Sequence, residues 1–265
     1  MSQIPAFLRP DVAATFTSRA VAASYRHRPP YPPQAFDILA GLIADAPRTV
    51  LDLGCGTGFV ARPLAPLVDR VDAIDISTAM IEVGKRLPGG DHARLTWIAG
   101  RAEDVALRPP YALITAGDSL HWMDWDRVLP RLADALSPNG ALAILGVTGK
   151  VATDDQVFHQ GVLNLIRRYT TFNEWCDFDL VAELARRGLF RERGRTETGT
   201  VVFHQPVNEY VESFHARASL SWARMDPNDL AAFDAALRQL VWQRVGGVVE
   251  LAVRATIVWG TPLRC

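Results

Sequence analysis

Three glycines that alternate with other residues follow a short apolar run, a pattern suited to holding a ligand with backbone. Residues 49–53 can form a buried strand, and Gly54, Gly56 and Gly58 come directly after it. Glycine tolerates positive φ in a sharp turn, and without a Cβ it lets the backbone touch a ligand. A helical pattern follows at residues 59–68. The sequence therefore predicts a strand, a ligand-binding loop and a helix.

Two acids indicate which ligand the loop binds. Asp75 ends a second apolar run about 20 positions beyond the loop, where an acid can accept both hydroxyls of a ribose. Asp52 stands before Gly54, where a carboxylate can order the loop and face a cation but would repel a pyrophosphate. The third glycine also comes one position too early for the dinucleotide pattern G-x-G-x-x-G, which has Phe59 here. The pattern favours S-adenosylmethionine over NAD.

The run from Asp52 to Gly58, D-L-G-C-G-T-G, resembles the first motif of class I S-adenosylmethionine-dependent methyltransferases. The resemblance continues in order over roughly the first 150 residues, at positions 73–80, 97–103, 111–115 and 132–147. Three further segments resemble the methyltransferase type 11 or trans-aconitate methyltransferase-like subgroup: Y-R-H-R-P-P-Y-P at 25–32, L-H-W-M-D at 120–124 and the closing strand at 253–262.

The resemblance implies S-adenosylmethionine as cofactor, S-adenosylhomocysteine as product, and a set of binding residues. Asp75 would hold the ribose, and Tyr25 and Arg28 the carboxylate of the methionine part. Ala102 and Glu103 would cover the adenine, because Arg101 stands where the family usually has Asp. The implied cofactor-binding residues are Tyr25, Arg28, Asp52, Gly54, Cys55, Gly56, Gly58, Asp75, Ile76, Ala102, Glu103, Gly117 and His121.

His121 is the candidate catalytic residue. Its ordinary pKa near ~6.5 suits proton removal at neutral pH, so it can act as a base. It can equally form, with Trp122, a wall around the methionine end, since a sulfonium methyl needs only an aligned nucleophile. The sequence leaves both roles open. Asp124 is expected to cap the helix predicted at residues 125–135.

The elements that position these residues follow an α/β pattern. Strands alternate with helices up to residue 147, and further helices are predicted at 153–169, 180–187, 207–220 and 229–245, with strands at 196–204 and 251–259. With the resemblance, this predicts a Rossmann-like, doubly wound, mostly parallel seven-stranded sheet of order 3-2-1-4-5-7-6 with helical cap insertions. We expect one domain overall, comprising an N-terminal helix and lid (1–33), a cofactor-binding core (34–150) and cap elements with the last two strands (151–265).

Bulk properties narrow the partners. A net charge of −1 and 22% charged residues give no electrostatic case for nucleic acid. No apolar run approaches the length of a membrane span, and residues 1–10 lack a signal peptide's apolar core. Cys55, Cys176 and Cys265 are odd in number and far apart, which indicates reduced thiols and no zinc site. We expect a cytoplasmic monomer or homodimer without bound metal.

Three functions fit these residues. The leading one is methyl transfer to a small molecule, because residues 116–119 (A-G-D-S) lack the N-P-P-Y motif of enzymes that methylate base amines. The first alternative is a repurposed enzyme that binds S-adenosylmethionine but catalyses a cyclisation or another reaction without methyl transfer. The second is a non-enzymatic cofactor-binding protein, in which the glycine loop would tend to degrade; here the loop is intact.

Overall fold

The structure, a computed structural model, describes residues 10–172 and 178–264, and these divide into two compact units. Unit 1 contains residues 10–29, 149–172 and 200–253, and unit 2 contains residues 30–148, 178–199 and 254–264. Each unit is thus built from separated stretches of chain. None of the helices in the described ranges has both the length and the apolar character needed to cross a membrane. The predicted single domain with lid and cap stays a prediction.

The strands form one sheet of order β3-β2-β1-β4-β5-β8-β6, with β7 also paired to β8. β1, β2, β3, β4 and β5 pair in parallel, and β6 and β7 pair antiparallel to β8. Their bounds are β1 Thr49–Leu53, β2 Arg70–Asp75, β3 Leu95–Ala99, β4 Tyr111–Gly117, β5 Leu136–Val151, β6 Phe190–Glu197, β7 Val201–Pro206 and β8 Val248–Pro262. The predicted fold class and strand order are confirmed, and the last strand of the chain, β8, lies next to β5 as predicted.

The sixth strand of the prediction, residues 196–204, is two strands, so the described sheet has eight strands and not seven. The break falls at Thr198, whose hydroxyl accepts the N–H of Ala255 at 3.0 Å. Gly199 then donates its N–H to the side chain of Gln34 at 2.7 Å. The Thr198 N–H also donates to the Ala255 carbonyl at 2.9 Å, so backbone and side chain share the pairing where β6 ends and before β7 begins.

The α-helices alternate with the strands up to β5. Their bounds are α1 Pro10–Ala13, α2 Arg19–Tyr25, α3 Gln34–Gly41, α4 Ala61–Leu64, α5 Thr78–Arg86, α6 Trp125–Ala135, α7 Gln156–Tyr169, α8 Leu180–Arg186, α9 Val207–Phe214 and α10 Pro227–Arg244. The predicted helix 59–68 is only the short α4 and a 3₁₀ turn, Ala65–Leu67. Pro66 has no N–H for the bond to Arg62 that would continue α4, which explains the change.

In unit 2 the sheet is covered on both faces. Every residue of β1 is buried, as expected for a central parallel strand. Val50 belongs to one hydrophobic cluster, whereas Leu51 and Leu53 belong to the other, because successive strand residues point to opposite faces. α6 adds Trp125 and other apolar side chains to the second cluster. This packing fixes the strand ends that carry the predicted site residues.

Unit 1 holds an aromatic cluster around a buried histidine. The rings of Phe214 and Phe233 lie 5.6 Å apart, and His215 packs 6.0 Å from Phe233. The His215 ring nitrogens contact the Leu220 carbonyl at 2.7 Å and Asp234 at 2.8 Å. Burial lowers the pKa of His215, but these two contacts outweigh it and raise the pKa. His215 is thus buried within this cluster and hydrogen-bonded through both ring nitrogens.

The helix predicted at residues 153–169 begins later in the structure. Val157 in its first turn is 63% exposed, whereas the next residue, Phe158, is fully buried. The helix begins only at Gln156, where Asp155 accepts the N–H groups of Val157 and Phe158. Val157 therefore lies in the first turn, beside the capping residue and facing solvent.

Candidate active site

The carboxyl ends of three adjacent parallel strands bring most of the predicted site residues to one edge of the sheet. β1 lies between β2 and β4, and all three run in the same direction. The glycine loop follows β1, Asp75 ends β2, and Gly117 ends β4. Ligands of open α/β sheets bind at this edge, where the strand order reverses. All of these residues belong to unit 2.

Only glycine fits at the first and third glycine positions of the loop. Gly54 has a φ of 59°, and a Cβ there would lie 2.6 Å from the Cβ of Ser119. Gly58 has a φ of 81°, and its Cβ would lie 2.6 Å from the ring of Trp97. Both positions combine a left-handed backbone with a close neighbour, so any side chain would deform the loop.

Asp75 connects the tip of β2 to the glycine loop through hydrogen bonds. Its Oδ2 accepts the N–H of Gly56 at 2.7 Å, and its Oδ1 accepts the N–H of Ser77 at 2.7 Å. Burial raises the pKa of Asp75, and the two hydrogen bonds oppose that rise. Each carboxylate oxygen can accept a further bond. Asp75 thus supports the loop and retains acceptor capacity for the hydroxyls of a ligand.

Asp52 lies beneath the loop and is almost fully buried. It accepts the hydroxyl of Thr115 at 2.8 Å and the N–H of Ala61, at the start of α4, at 3.1 Å. Burial raises the pKa of Asp52 to about 7; these bonds oppose the rise, and the charge of Asp75 adds to it. A nearby cationic ligand would favour the ionised carboxylate.

Cys55 is a structural residue of the loop. It is buried, and its N–H donates to the carbonyl of Ile74 at 2.9 Å. Burial, followed by the negative charges of Asp75 and Asp52, raises the pKa of the Cys55 thiol well above its ordinary value. The thiol is therefore protonated at neutral pH and is not a nucleophile.

Ile76 directly follows Asp75 at the end of β2 and is 51% exposed. Ala102 and Glu103, which come after β3, are buried. Glu103 accepts the N–H of Asp124 at 2.9 Å. Asp124 is the residue before α6, but its own side chain makes no capping bond. The prediction that Asp124 caps this helix is wrong, because its side chain accepts no N–H of the first turn; Glu103, from another part of the chain, accepts the N–H of Asp124 itself.

His121 lies beyond the end of β4, in the 3₁₀ turn Leu120–Trp122. Its ring is 4.7 Å from the ring of Trp122, with an angle of 51° between the planes. At the strand end itself, a Cβ on Gly117 would lie only 2.7 Å from the Tyr31 hydroxyl. Sequence reasoning treated Tyr31 as part of a motif and not as a site residue, yet its hydroxyl lies over the end of β4.

Asp118 is a second residue that sequence reasoning missed. It is the only non-glycine residue with a positive φ, 48°, in the ranges that the structure describes. Its N–H donates to the carbonyl of Leu145 at 2.9 Å, which joins the end of β4 to the middle of β5. A left-handed aspartate leaves no signature in a sequence, because most aspartates have negative φ.

Tyr25 and Arg28 belong to unit 1. The Arg28 guanidinium lies over the Tyr25 ring, 5.5 Å from its centre, and Phe16 packs against the same ring at 6.4 Å. Their predicted contact with a methionine carboxylate stays a prediction. In the described part of the chain, no three His, Cys, Asp or Glu side chains are grouped as ligands of a metal ion would be.

Comparison with known proteins agrees with this geometry. Residues 50–140 match the profile of a methyltransferase domain family. An uncharacterized methyltransferase of Mycobacterium tuberculosis is 34% identical over 139 residues, covering 52% of this chain and 54% of the relative. A trans-aconitate 2-methyltransferase of Pseudomonas aeruginosa is 31% identical over 141 residues, 51% of this chain and 48% of the relative. The chain thus spans about half the length of the curated relatives it matches.

Solved structures share the fold. A protein of Anaeromyxobacter dehalogenans, described as a candidate type II methyltransferase, aligns over 89% of this chain and 99% of its own, with a TM-score of 0.61 and 24% identity. A methyltransferase of Geobacter sulfurreducens, solved with S-adenosylhomocysteine, aligns over 99% of this chain and 100% of its own, with a TM-score of 0.50 and 16% identity. Residues 50–140 thus match a methyltransferase domain, and the glycine loop and strand order of this chain agree with the fold of class I S-adenosylmethionine-dependent methyltransferases.

Proposed function

We propose that this protein transfers the methyl group of S-adenosylmethionine to a small molecule by in-line displacement. The observation that carries the proposal is the loop beside Asp75. A buried carboxylate at the tip of β2 lies 2.7 Å from the N–H of Gly56, inside a loop that has room for backbone alone. This arrangement suits a nucleoside whose ribose hydroxyls reach Asp75.

The charge of the site favours a sulfonium over a pyrophosphate. Asp52 and Asp75 are both buried at this edge, and each raises the cost of holding an anion there. S-adenosylmethionine carries a sulfonium, an amino group and a ribose, and no phosphate. The proposed cofactor contacts are those of the glycine loop, Asp75, Ile76, Ala102, Glu103, Gly117 and His121, with Tyr25 and Arg28 on the methionine carboxylate.

The protein's part in the reaction is to align the acceptor and exclude water. The leaving group is a neutral thioether, so the methyl is already activated, and alignment can supply up to ~7–11 kcal/mol of the barrier. His121 has one of two roles: it removes a proton from the acceptor as a base, or it packs with Trp122 beside the methionine end of the cofactor. We propose a segment around residues 25–31 as the lid that excludes water.

The acceptor is a small molecule in this proposal, and the protein acts in the cytoplasm as a monomer or homodimer. The net charge of −1 supports a small-molecule acceptor, since a nucleic-acid substrate would favour a basic surface. The trans-aconitate methyltransferase relative is named for a small organic acid. That resemblance supports the size of the acceptor, and its chemical class is taken up below.

Calorimetry and a transfer assay test the proposal. We expect S-adenosylmethionine and S-adenosylhomocysteine to bind and NAD not to bind. Incubation with methyl-labelled S-adenosylmethionine and a metabolite extract, followed by mass spectrometry, is expected to give a labelled small molecule. Micromolar NAD binding without sulfonium binding contradicts the cofactor; cofactor binding without any labelled product contradicts methyl transfer and favours one of the two alternatives.

A further inference from the structure

Arg217, in the turn after α9, has no acidic partner among the residues that the structure describes. Its side chain is exposed, so a molecule in solution can reach it. The guanidinium carbon lies 4.4 Å from the centre of the Phe214 ring. A guanidinium carries five N–H donors and no acceptor, and a ring face gives these donors no oxygen to bind. The donors of Arg217 are therefore available to a ligand.

Positive charge is concentrated at this arginine. Enough protein surrounds the exposed guanidinium that burial lowers the pKa of Arg217 to about 10, and the like charge of Arg28 acts in the same direction. Arg217 still carries its charge at neutral pH, because that value is far above 7. Arg28 and Arg217 belong to the same unit of the chain. Two cations whose charges act on each other favour the binding of an anion.

A hydroxyl beside the same ring supplies a further donor. Tyr210 is only 6% exposed, and its ring packs edge-on against Phe214 at 5.2 Å. In the part of the chain that the structure describes, its hydroxyl has no hydrogen-bond partner and is not fully enclosed, so it reaches solvent. Burial raises the pKa of Tyr210 to about 12, with the charge of Arg217 opposing the rise, so the hydroxyl keeps its proton. A buried tyrosine with an unpartnered hydroxyl indicates a missing acceptor.

The spacing along α9 brings these donors together. Tyr210, Phe214 and Arg217 stand at positions i, i+4 and i+7, which share one face of a helix. α9 ends at Phe214, and the Arg217 N–H donates to the Phe214 carbonyl at 3.0 Å, which holds the next turn against the helix end. A planar guanidinium and a hydroxyl beside one ring match the two oxygens and single charge of a carboxylate.

We propose that Arg217 and the Tyr210 hydroxyl form an anion-binding subsite that holds a carboxylate of the methyl acceptor. The inference rests on the proposed methyl transfer, in which Arg28 binds the carboxylate of the methionine part. Because the charge of Arg28 acts on Arg217, this subsite lies close to that end of the cofactor and takes a second anion. The guanidinium donates to both carboxylate oxygens, and the hydroxyl donates to one of them. Neither residue forms a covalent bond.

The first arm of the experiment measures binding without activity. The whole protein, saturated with S-adenosylhomocysteine, is titrated in a calorimeter with succinate, a dicarboxylate, with its neutral diamide and with inorganic phosphate. We expect succinate to bind more tightly than phosphate, and the diamide not to bind. Arg217→Gln should weaken succinate binding at least about tenfold and Tyr210→Phe about threefold, because each removes donors to the anion. The Kd for S-adenosylhomocysteine should not change in either variant.

The second arm determines the charge of the acceptor. A metabolite extract is divided on an anion-exchange resin, and each fraction is incubated with the protein and methyl-labelled S-adenosylmethionine. We expect labelled product only from the retained fraction. For the acceptor purified from that fraction, Arg217→Gln should raise KM at least about tenfold with little change in kcat, because binding is lost before the reaction begins.

Arg168→Gln is the matched control. Arg168 is also exposed, and its guanidinium lies over an aromatic ring, that of Tyr169, at 5.2 Å. This variant removes a stacked arginine far along the chain from Tyr210 and should leave succinate binding and KM unchanged. A loss equal to that in Arg217→Gln makes the effect one of general surface charge and overturns the subsite.

The remaining outcomes separate the two proposals. Succinate binding that is absent, or that is unchanged in Arg217→Gln, overturns the subsite, as does label from the unretained fraction alone. Tighter binding of phosphate than of succinate overturns the choice of a carboxylate. An equal loss of S-adenosylhomocysteine affinity assigns Arg217 to the cofactor and overturns the acceptor role. Succinate binding that depends on Arg217, without labelled product from either fraction, supports the anion site but overturns methyl transfer and with it the acceptor role.

Discussion

β2 carries two buried aspartates, Asp72 and Asp75, whose surroundings are opposite in kind. Asp72 is fully buried and is held by side chains: Arg108 contacts both of its oxygens, and the Tyr111 hydroxyl donates to Oδ2 at 2.8 Å. Asp75 is 8% exposed, and its two hydrogen bonds come from backbone N–H groups, those of Gly56 and Ser77. The first carboxylate is paired with arginine inside the fold, whereas the second is held by backbone N–H groups at the ligand edge.

The difference shows how one strand serves both stability and binding. A buried charge is costly unless it is paired, and Asp72 meets that condition with Arg108. Asp75 is 8% exposed at the strand tip, and each of its oxygens can accept a further hydrogen bond. We therefore predict that Asp75, and not the nearby Asp72, accepts the ribose hydroxyls.

The largest expected effect comes from Asp75→Ala. The variant should weaken binding of S-adenosylhomocysteine by the loss of two charged hydrogen bonds, about 1.5–3 kcal/mol each before compensation, which is at least tenfold in Kd. Calorimetry measures the change, and the unfolding transition should remain cooperative. An unchanged Kd contradicts the role of Asp75 in ribose binding.

Asp72→Asn should have the reverse profile. It removes the charge that pairs with Arg108, so the free energy of unfolding should fall by about 2–3 kcal/mol. The Kd for S-adenosylhomocysteine should stay within twofold of the wild type, because Asp72 belongs to the fold. Urea denaturation gives the first value and calorimetry the second. A larger loss of affinity than of stability contradicts the division between the two aspartates.

The third prediction concerns Asp52, a buried acid with no described arginine partner. Its pKa is raised to about 7 in the folded chain, from an ordinary value of 3.8. Its contribution to stability is therefore fully present below pH 3.8, is lost as pH rises, and is gone above about 7. A cationic ligand favours the ionised form, so binding of S-adenosylmethionine should tighten as pH rises through about 7.

Calorimetry in buffers of different ionisation enthalpy should detect proton release when S-adenosylmethionine binds near pH 7. Asp52→Asn is the matched control and should abolish that release. Its amide can still accept the Ala61 N–H and donate to Thr115, so the loop is retained. Proton release that persists in Asp52→Asn assigns the titration to another group.

The smallest effect is expected for Arg108→Lys. The charge remains, but the bidentate contact with Asp72 is lost, and the Arg108 side chain is 47% exposed. We expect the free energy of unfolding to fall by about 1 kcal/mol or less, with no change in cofactor affinity. Urea denaturation measures it. A fall as large as that of Asp72→Asn would show that the geometry of the guanidinium, and not only its charge, stabilises Asp72.

The sequence by itself determined the parts of this protein that depend on short-range chemistry. The glycine spacing indicates the loop because positive φ and close backbone contact are properties of single residues, and Gly54 and Gly58 have both. β1 and α6 have the predicted bounds, because their apolar periodicity is local. The same spacing, with Asp75 at the end of the next apolar run, was sufficient to indicate the cofactor class.

Only the tertiary structure decided which distant groups meet. Glu103 accepts the N–H of Asp124 before α6 from 21 positions away, and Thr198, where β6 ends, binds Ala255, 57 positions away. Asp72 and Asp75 look alike in the sequence, and the side chains of Arg108 and Tyr111, 36 and 39 positions from Asp72, distinguish them. The left-handed backbone of Asp118 depends likewise on Leu145. Such pairings arise from how strands and helices pack, and no local pattern of residues encodes them.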